Sequence, residues 1–176
     1  MKGRTLPPRV PRAITAILVA LVLALAPHLL RGAGQGHAVA SPVATTAHSR
    51  AELLSDRDAA GPGERFTLAL RLRLSPGWHT YWLNPGDSGM APEFRWTLPE
   101  GMEVGPPLWP TPSRQPFGPL TNYGFGGEVI FLFEARAPAR SFAGLELGLE
   151  ATWLACEKIC VPEEATLSIR IAGGEG

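Results

Sequence analysis

After residue 50 the chain alternates apolar and polar positions with a period of two. In "FTLALRLRL" (residues 66–74) Phe66, Leu68, Leu70, Leu72 and Leu74 fall on one side, and Thr67, Ala69, Arg71 and Arg73 on the other. That is the pattern of a strand with one wet face. "SPG" at 75–77 signals a turn, and the aromatic-rich "WHTYWL" (78–83) reads as the returning strand. "FRWTL" (94–98) is a short alternating strand that stops at Pro99. "LELGLEATW" (145–153) directs Leu145, Leu147, Leu149, Ala151 and Trp153 inward, and "ATLSIRI" (165–171) repeats the pattern through Leu167, Ile169 and Ile171. "EVIFLFEA" (128–135) is a continuous apolar run, which predicts a strand buried on both faces. With "AELLSD" near residue 51 the count is about seven strands.

Between them, residues 105–120 hold prolines at 106, 107, 110, 112, 116 and 119. Such a stretch is excluded from a sheet interior and predicts an ordered loop or an edge. Beyond the first forty residues no helical periodicity stands out. Many short strands separated by turn signals predict an all-β fold, an immunoglobulin-like β-sandwich of about seven strands over residues 51–172. The immunoglobulin Cys…Trp…Cys spacing is absent, so the likeness is architectural. No internal repeat is visible.

The start of the chain has another character. Lys2, Arg4, Arg9 and Arg12 precede the uncharged run "AITAILVALVLALA" (13–26), and the small-residue triplet Ala38, Val39, Ala40 precedes Ser41. A basic end, a short apolar core and an A-x-A site are the marks of a secretory signal, here assigned to residues 1–40. An uncleaved anchor is the alternative, but the run is shorter than the ~20 residues that cross a bilayer. "SPVATTAHSR" (41–50) is small and polar and predicts a flexible leader. Removing residues 1–40 takes away five basic residues and no acidic one, leaving 11 basic against 16 acidic, a net charge of −5. No basic patch for nucleic acid follows from that balance. Export from the cytoplasm is expected, and outside it a disulfide can persist.

The chemistry concentrates in "TWLACEKICVPEEATL" (152–167), which holds Cys156 and Cys160, the only two cysteines of the chain. They fall at the end of the hairpin formed by the last two strands. Cys156, even-numbered, continues the outer face of its strand, and three intervening residues suffice to bring the two into disulfide reach. A short-loop disulfide there is expected to be exposed and open to attack by another thiolate. Three readings stand open. As a staple, closing about five residues contributes only ~2 kcal/mol in the chain-entropy model. As a metal clip, two thiolates suit Cu(I), whereas zinc wants four ligands and the segment after residue 40 offers only His48 and His79 besides carboxylates; no metal site is assigned. As a redox pair, Lys158 favours the reactive thiolate and Glu157, Glu163 and Glu164 oppose it.

"WLACEKICVPEEATLSI" (153–169), together with "GWHTYWLNPGDSGMAPEFRWTLPEG" (77–101) and "NYGFGGEVIFLF" (122–133), resembles the N-terminal periplasmic domain of DsbD-type thiol:disulfide interchange proteins, and within them the ScsB-like subgroup. The likeness runs over roughly residues 50–172. It implies an immunoglobulin-like sandwich in which Cys156 and Cys160 form a redox-active disulfide that needs no other cofactor. It implies protein-disulfide reductase chemistry, with electrons taken from a membrane reductase domain and passed to oxidised, thioredoxin-like periplasmic partners through a mixed disulfide. It also implies an aromatic cap loop over the cysteines. The matching segment is 121–127, with Tyr123 and Phe125 as the cover and Gly124, Gly126 and Gly127 as its hinges. Tyr81 and Trp82 fall where the family places aromatics near the pair. Two departures qualify the likeness: the family's better-known branch separates its cysteines by more residues, and the multi-span and thioredoxin domains of the full-length protein are not in this sequence. A non-catalytic β-sandwich interaction module with a structural disulfide, and a Cu(I)-handling domain using both thiols, are the alternative functions.

Overall fold

A computed structural model describes residues 37–174. The expected signal segment therefore lies outside the described residues except for 37–40. The described chain is all-β, with thirteen strand segments and no helix. In chain order they are β1 (Val39–Ala40), β2 (Ala44–Thr45), β3 (Ser49–Ser55), β4 (Ala59–Ala60), β5 (Arg65–Leu74), β6 (His79–Gly86), β7 (Glu93–Thr97), β8 (Glu103–Val104), β9 (Ser113–Phe117), β10 (Leu120–Gly126), β11 (Glu128–Arg136), β12 (Gly144–Cys156) and β13 (Cys160–Gly173). The seven segments expected from the sequence are β3, β5, β6, β7, β11, β12 and β13; the others are mostly short pairings, apart from the β9–β10 hairpin at one side of the second sheet.

Two sheets face each other as an immunoglobulin-like sandwich. One runs β1-β3-β5-β11-β8, with β2 also on β3; the other runs β4-β13-β12-β6-β10-β9, with β7 also on β12. The alternating positions of β5 and β12 form the interior: Leu68, Leu70, Leu72, Leu147 and Leu149 are inaccessible to solvent and meet Phe131 and Phe133 from β11. Each such side chain contributes about 1.5–3 kcal/mol of burial. The polar face of the first sheet carries cross-strand ion pairs, Glu52 with Arg71 and Glu128 with Arg73, at directly opposed positions.

Two sequence expectations are corrected here. Strand β11 is not buried on both faces. Val129, Phe131, Phe133 and Ala135 are buried, whereas Ile130 and Leu132 are 40% exposed, because no third layer covers the outside of that sheet. Residues 41–50 are not a loose leader. Ser41 accepts from the Leu53 amide at 3.0 Å and donates its own amide to Leu53, β2 pairs with β3, and the His48 ring stacks on Trp78 with centroids 3.5 Å apart. Small polar residues made these links through hydrogen bonds, which leave no hydrophobic period to read. The proline-rich stretch behaves as its composition demands: Pro116 sits in β9, an edge strand, where a missing amide costs nothing in the ladder.

The positions that matter for the site follow from how β12 shares one edge between two strands. Its end pairs with β6 at Cys156 opposite His79, and its middle pairs with β7 through residues 148–152. The connection between β6 and β7, residues 87–92, therefore leaves the sheet and returns to the same edge.

Candidate functional site

Strands β12 and β13 form a long hairpin whose register runs without a break from Gly144 opposite Ala172 to Cys156 opposite Cys160. Perfect register places the two cysteines as the last facing pair, with Cα atoms 4.1 Å apart and a disulfide of 2.02 Å between them. Glu157, Lys158 and Ile159 make the turn, closed by the Glu157 amide donating to the Ile159 carbonyl at 3.0 Å.

The two halves of the disulfide differ in environment. Cys160 belongs to an exposed residue run that begins at Glu157, but Cys156 is 0% exposed. The expectation of a wholly exposed bond is thus corrected for Cys156. Its side chain does leave the outer face of β12, and it lies outside the core cluster; what buries it is a second layer on that face. Tyr81, equally inaccessible, lies on the same face of β6, with its hydroxyl 3.5 Å from Cys160 Sγ. The disulfide sulfur carries no hydrogen, so the phenol is the donor. The ring of His79 stands edge-on to that of Tyr81, centroids 5.4 Å apart. Burial pushes the Tyr81 phenol up from its ordinary value, with Ser88 beside it opposing, and burial lowers His79.

The cover over Tyr81 is the connection 87–92. Gly89 lies on the ring with φ +92°, and a Cβ built there would come within 2.3 Å of the ring carbons. The connection is tied down at Asn122, which is fully buried. Its Oδ1 accepts from the Ser88 amide at 3.0 Å, and Asp87 accepts from the Thr121 amide at 2.8 Å. On the other flank the β9–β10 turn comes up to the cysteine turn: Pro116, Gly118, Pro119 and Leu120 share a shallow cleft of about 510 Å³ with Glu157 and Lys158.

The residues expected to form a cap are placed differently. Residues 121–127 are mostly strand β10, bonded to β6 on one side and β9 on the other. Phe125 is a core residue, its ring 5.8 Å from Phe131 at nearly a right angle. Gly124 is needed for sheet contact, since a Cβ there would fall 1.9 Å from the Thr80 carbonyl oxygen. Tyr123 is 41% exposed and opposes Arg114 on β9. Phe125 is thus turned into the core, and a strand hydrogen-bonded at both edges cannot swing as a flap. Gly127, at φ +72°, makes the turn into β11. Of the two flanking aromatics, Tyr81 touches the disulfide, whereas Trp82 packs half-buried against the interior core. Successive residues of a strand face opposite ways.

Sequence reasoning also missed what Glu163 does. Registered opposite Trp153, it points inward at the open end of the sandwich. It accepts from the Thr46 hydroxyl at 2.7 Å, the His48 amide at 2.7 Å, the Ser49 hydroxyl and the Trp153 indole at 3.2 Å. Burial by itself would raise its pKa, but the bonds from Ser49, Thr46, His48 and Trp153 outweigh that and hold it below its ordinary value. Its charge is spent on joining the cysteine hairpin to the β2–β3 turn of the facing sheet, not on opposing a thiolate. The only hint in the sequence was an odd-numbered glutamate on the apolar side of an alternating strand.

A family model described as thiol:disulfide interchange protein DsbD, N-terminal, matches residues 50–170. Among solved structures the chain is similar to the N-terminal periplasmic domain of ScsB from Proteus mirabilis, at 25% identity and a TM-score of 0.56. That match covers 74% of this chain and 50% of the other, so the chain spans about half the length of that relative. A further similarity is to the N-terminal domain of DsbD from Neisseria meningitidis in its reduced form, at 16% identity and a TM-score of 0.39, covering 68% of this chain and 82% of that one. No curated protein sequence gives a significant match.

Proposed function

The chain belongs to the family of DsbD N-terminal domains, and from that premise we propose that it is a periplasmic thiol–disulfide exchange domain that relays electrons through Cys156 and Cys160. The family and the disulfide support the exchange chemistry. The relay, in which a membrane reductase domain reduces the pair and thioredoxin-like periplasmic proteins accept its electrons, is our reading. The periplasmic setting rests on the ScsB relative, which is a periplasmic domain, and on the sequence signal.

The observation that carries the proposal is the asymmetry of the bond. A partner thiolate needs in-line access to one sulfur and a leaving group at the other. Cys160 offers the access, and Cys156, fully buried, is screened from attack. In the mixed disulfide the partner is bonded to Cys160, and Cys156 resolves it. The turn that carries Cys160 presents Ile159, 65% exposed, beside the cleft lined by Pro119 and Leu120. Apolar surface around one reachable sulfur is what a transient protein partner needs. A bond with no function beyond stapling gives no reason for such an arrangement, since closing so short a loop adds only ~2 kcal/mol.

The test is trapping with a purified thioredoxin-like periplasmic protein lacking its own resolving cysteine. Cys156→Ser, which leaves Cys160, forms a stable mixed disulfide on non-reducing gels; Cys160→Ser does not. No adduct with either variant would overturn the exchange function, and adducts through Cys156 alone would overturn the assignment of roles.

A further inference from the structure

We propose that His79 is the proton acceptor for Cys156, the group that holds the buried sulfur as a thiolate while Cys160 is bonded to a partner. The inference rests on the exchange reading above and adds to it a residue that neither the cysteine motif nor the aromatic cover contains.

His79 is the residue of β6 registered directly opposite Cys156. Directly opposed residues of antiparallel strands project to the same face, with Cβ atoms about 4.5–5.5 Å apart. Tyr81, two residues further along β6, shares that face and meets the imidazole edge-on. The His79 side chain is 6% exposed, and its Nε2 is buried with no hydrogen-bond partner. An unpaired buried nitrogen is costly, and the oxidised site leaves it unpaired because a disulfide has no proton to give. Opening the bond supplies what is missing, since a Cys156 thiol donates to that nitrogen.

The surroundings leave the role to His79. Opposite it on the other side, β10 contributes Gly126, which carries no charge. Tyr81 on its own strand is a neutral phenol. Glu157 and Lys158 on the turn are both exposed and of opposite sign. Glu163, on β13, faces inward and is already bonded four ways. Among the described residues at this face, an imidazolium is the one buried cation that can stabilise a Cys156 thiolate. Burial disfavours the charged imidazole when it stands alone, so the proton moves only when a thiolate forms beside it.

In the reduced domain the Cys160 thiolate attacks a partner disulfide; one partner sulfur bonds to Cys160, and the other leaves with its electron pair and takes a proton from water. The Cys156 thiol then passes its proton to His79 Nε2, and its thiolate attacks Cys160 Sγ. The Cys156–Cys160 bond forms, the bond from Cys160 to the partner breaks, and the departing partner sulfur takes the electron pair and the proton from His79. Two electrons have reached the partner, the pair is oxidised, and His79 is again neutral with Nε2 unpaired, as in the structure.

The experiment follows the ultraviolet absorbance of the Cys156 thiolate against pH in the Cys160→Ser protein, with and without His79→Gln. The expected result is a thiolate that forms about one pH unit or more below the ordinary thiol value, and a rise of similar size on removing the imidazole. In the unmutated chain, the ¹⁵N resonance of His79 Nε2 is expected to shift on reduction at neutral pH; this measurement decides the matter if the His79→Gln chain does not fold. Superimposable titrations in the two backgrounds, or a His79 resonance indifferent to reduction, would overturn the proposal. Neither readout needs a partner. Trapping through Cys160 together with uncoupled titrations sinks the His79 role and spares the exchange function; coupled titrations without trapping support the proton link and sink the exchange function.

Discussion

The Tyr81 hydroxyl lies 3.5 Å from Cys160 Sγ while the Tyr81 ring is completely shut off from solvent. The phenol is thus in contact with both the cover and the sulfur a partner would attack. A hydroxyl donor beside that sulfur draws electron density from it and favours its attack by a thiolate, whose charge passes to the departing Cys156 sulfur. Tyr81→Phe keeps the ring and loses the donor. Such a bond is worth about 0.5–1 kcal/mol, so the rate of disulfide opening by dithiothreitol should fall roughly two- to fivefold with little change in melting temperature. An unchanged or faster rate would mean that the hydroxyl only fills space.

Gly89 bears on the same ring from above. Its φ of +92° is already unfavourable for any residue with a side chain, and an added methyl would overlap Tyr81. Gly89→Ala must push the 87–92 connection off the ring. We expect a loss of about 1–3 kcal/mol in unfolding free energy, together with faster reaction of the disulfide with small thiols, because the cover over Tyr81, which touches Cys160 Sγ, is lifted. Denaturant melts and stopped-flow reduction measure the two effects separately. A stability loss with no gain in reactivity would show that this connection does not guard the bond.

How much of this could be read from the chain depends on the kind of force involved. Alternation in residues 66–74, 145–153 and 165–171 was enough to assign the inward faces of β5, β12 and β13, because a sandwich interior selects apolar side chains every second position. The three motifs around Trp78, Asn122 and Cys156 were enough to recognise the family. The details of the site were not legible. Ile130 and Leu132 look like core residues by type, yet stand on an outer face. Phe125 looks like a cap by its position between glycines, yet packs on Phe131. The actual cover depends on Gly89, whose contribution is the absence of a side chain, and on Ser88 and Asn122, joined across 34 residues. Contacts of that kind carry no periodic signal.

Glu163 links the cysteine hairpin to the β2–β3 turn of the facing sheet through Thr46, His48 and Ser49. Glu163→Gln keeps the shape, but it replaces an acceptor-only carboxylate with an amide whose nitrogen must face either the His48 amide or the donors Thr46, Ser49 and Trp153. Leaving a buried donor unpaired costs about 1–3 kcal/mol, and that loss is the expected drop in unfolding free energy. The β2–β3 turn should loosen with it, seen as faster amide exchange at His48. Protection at His48 equal to that in the parent chain would show that the turn is held by the His48–Trp78 stack instead.

His79 and Glu163 give the oxidised domain two separate acid transitions. His79 is neutral in the folded state and its pKa is lowered by burial, so the unfolded chain, titrating near the ordinary 6.5, binds its proton first as pH falls. Stability due to the neutral imidazole is complete above that value and is lost as pH drops through the lower folded one. Glu163 is also lowered, burial being outweighed by its four donors. Its contribution is intact above the ordinary 4.5 and disappears only below it. Melting temperature plotted against pH should therefore decline gently from just above 6.5, then more steeply under 4.5. His79→Gln should flatten the first decline and keep the second, and Glu163→Gln should do the reverse. If the first decline survives in His79→Gln, another group titrates there, and the imidazole is not the buried neutral base that the site requires.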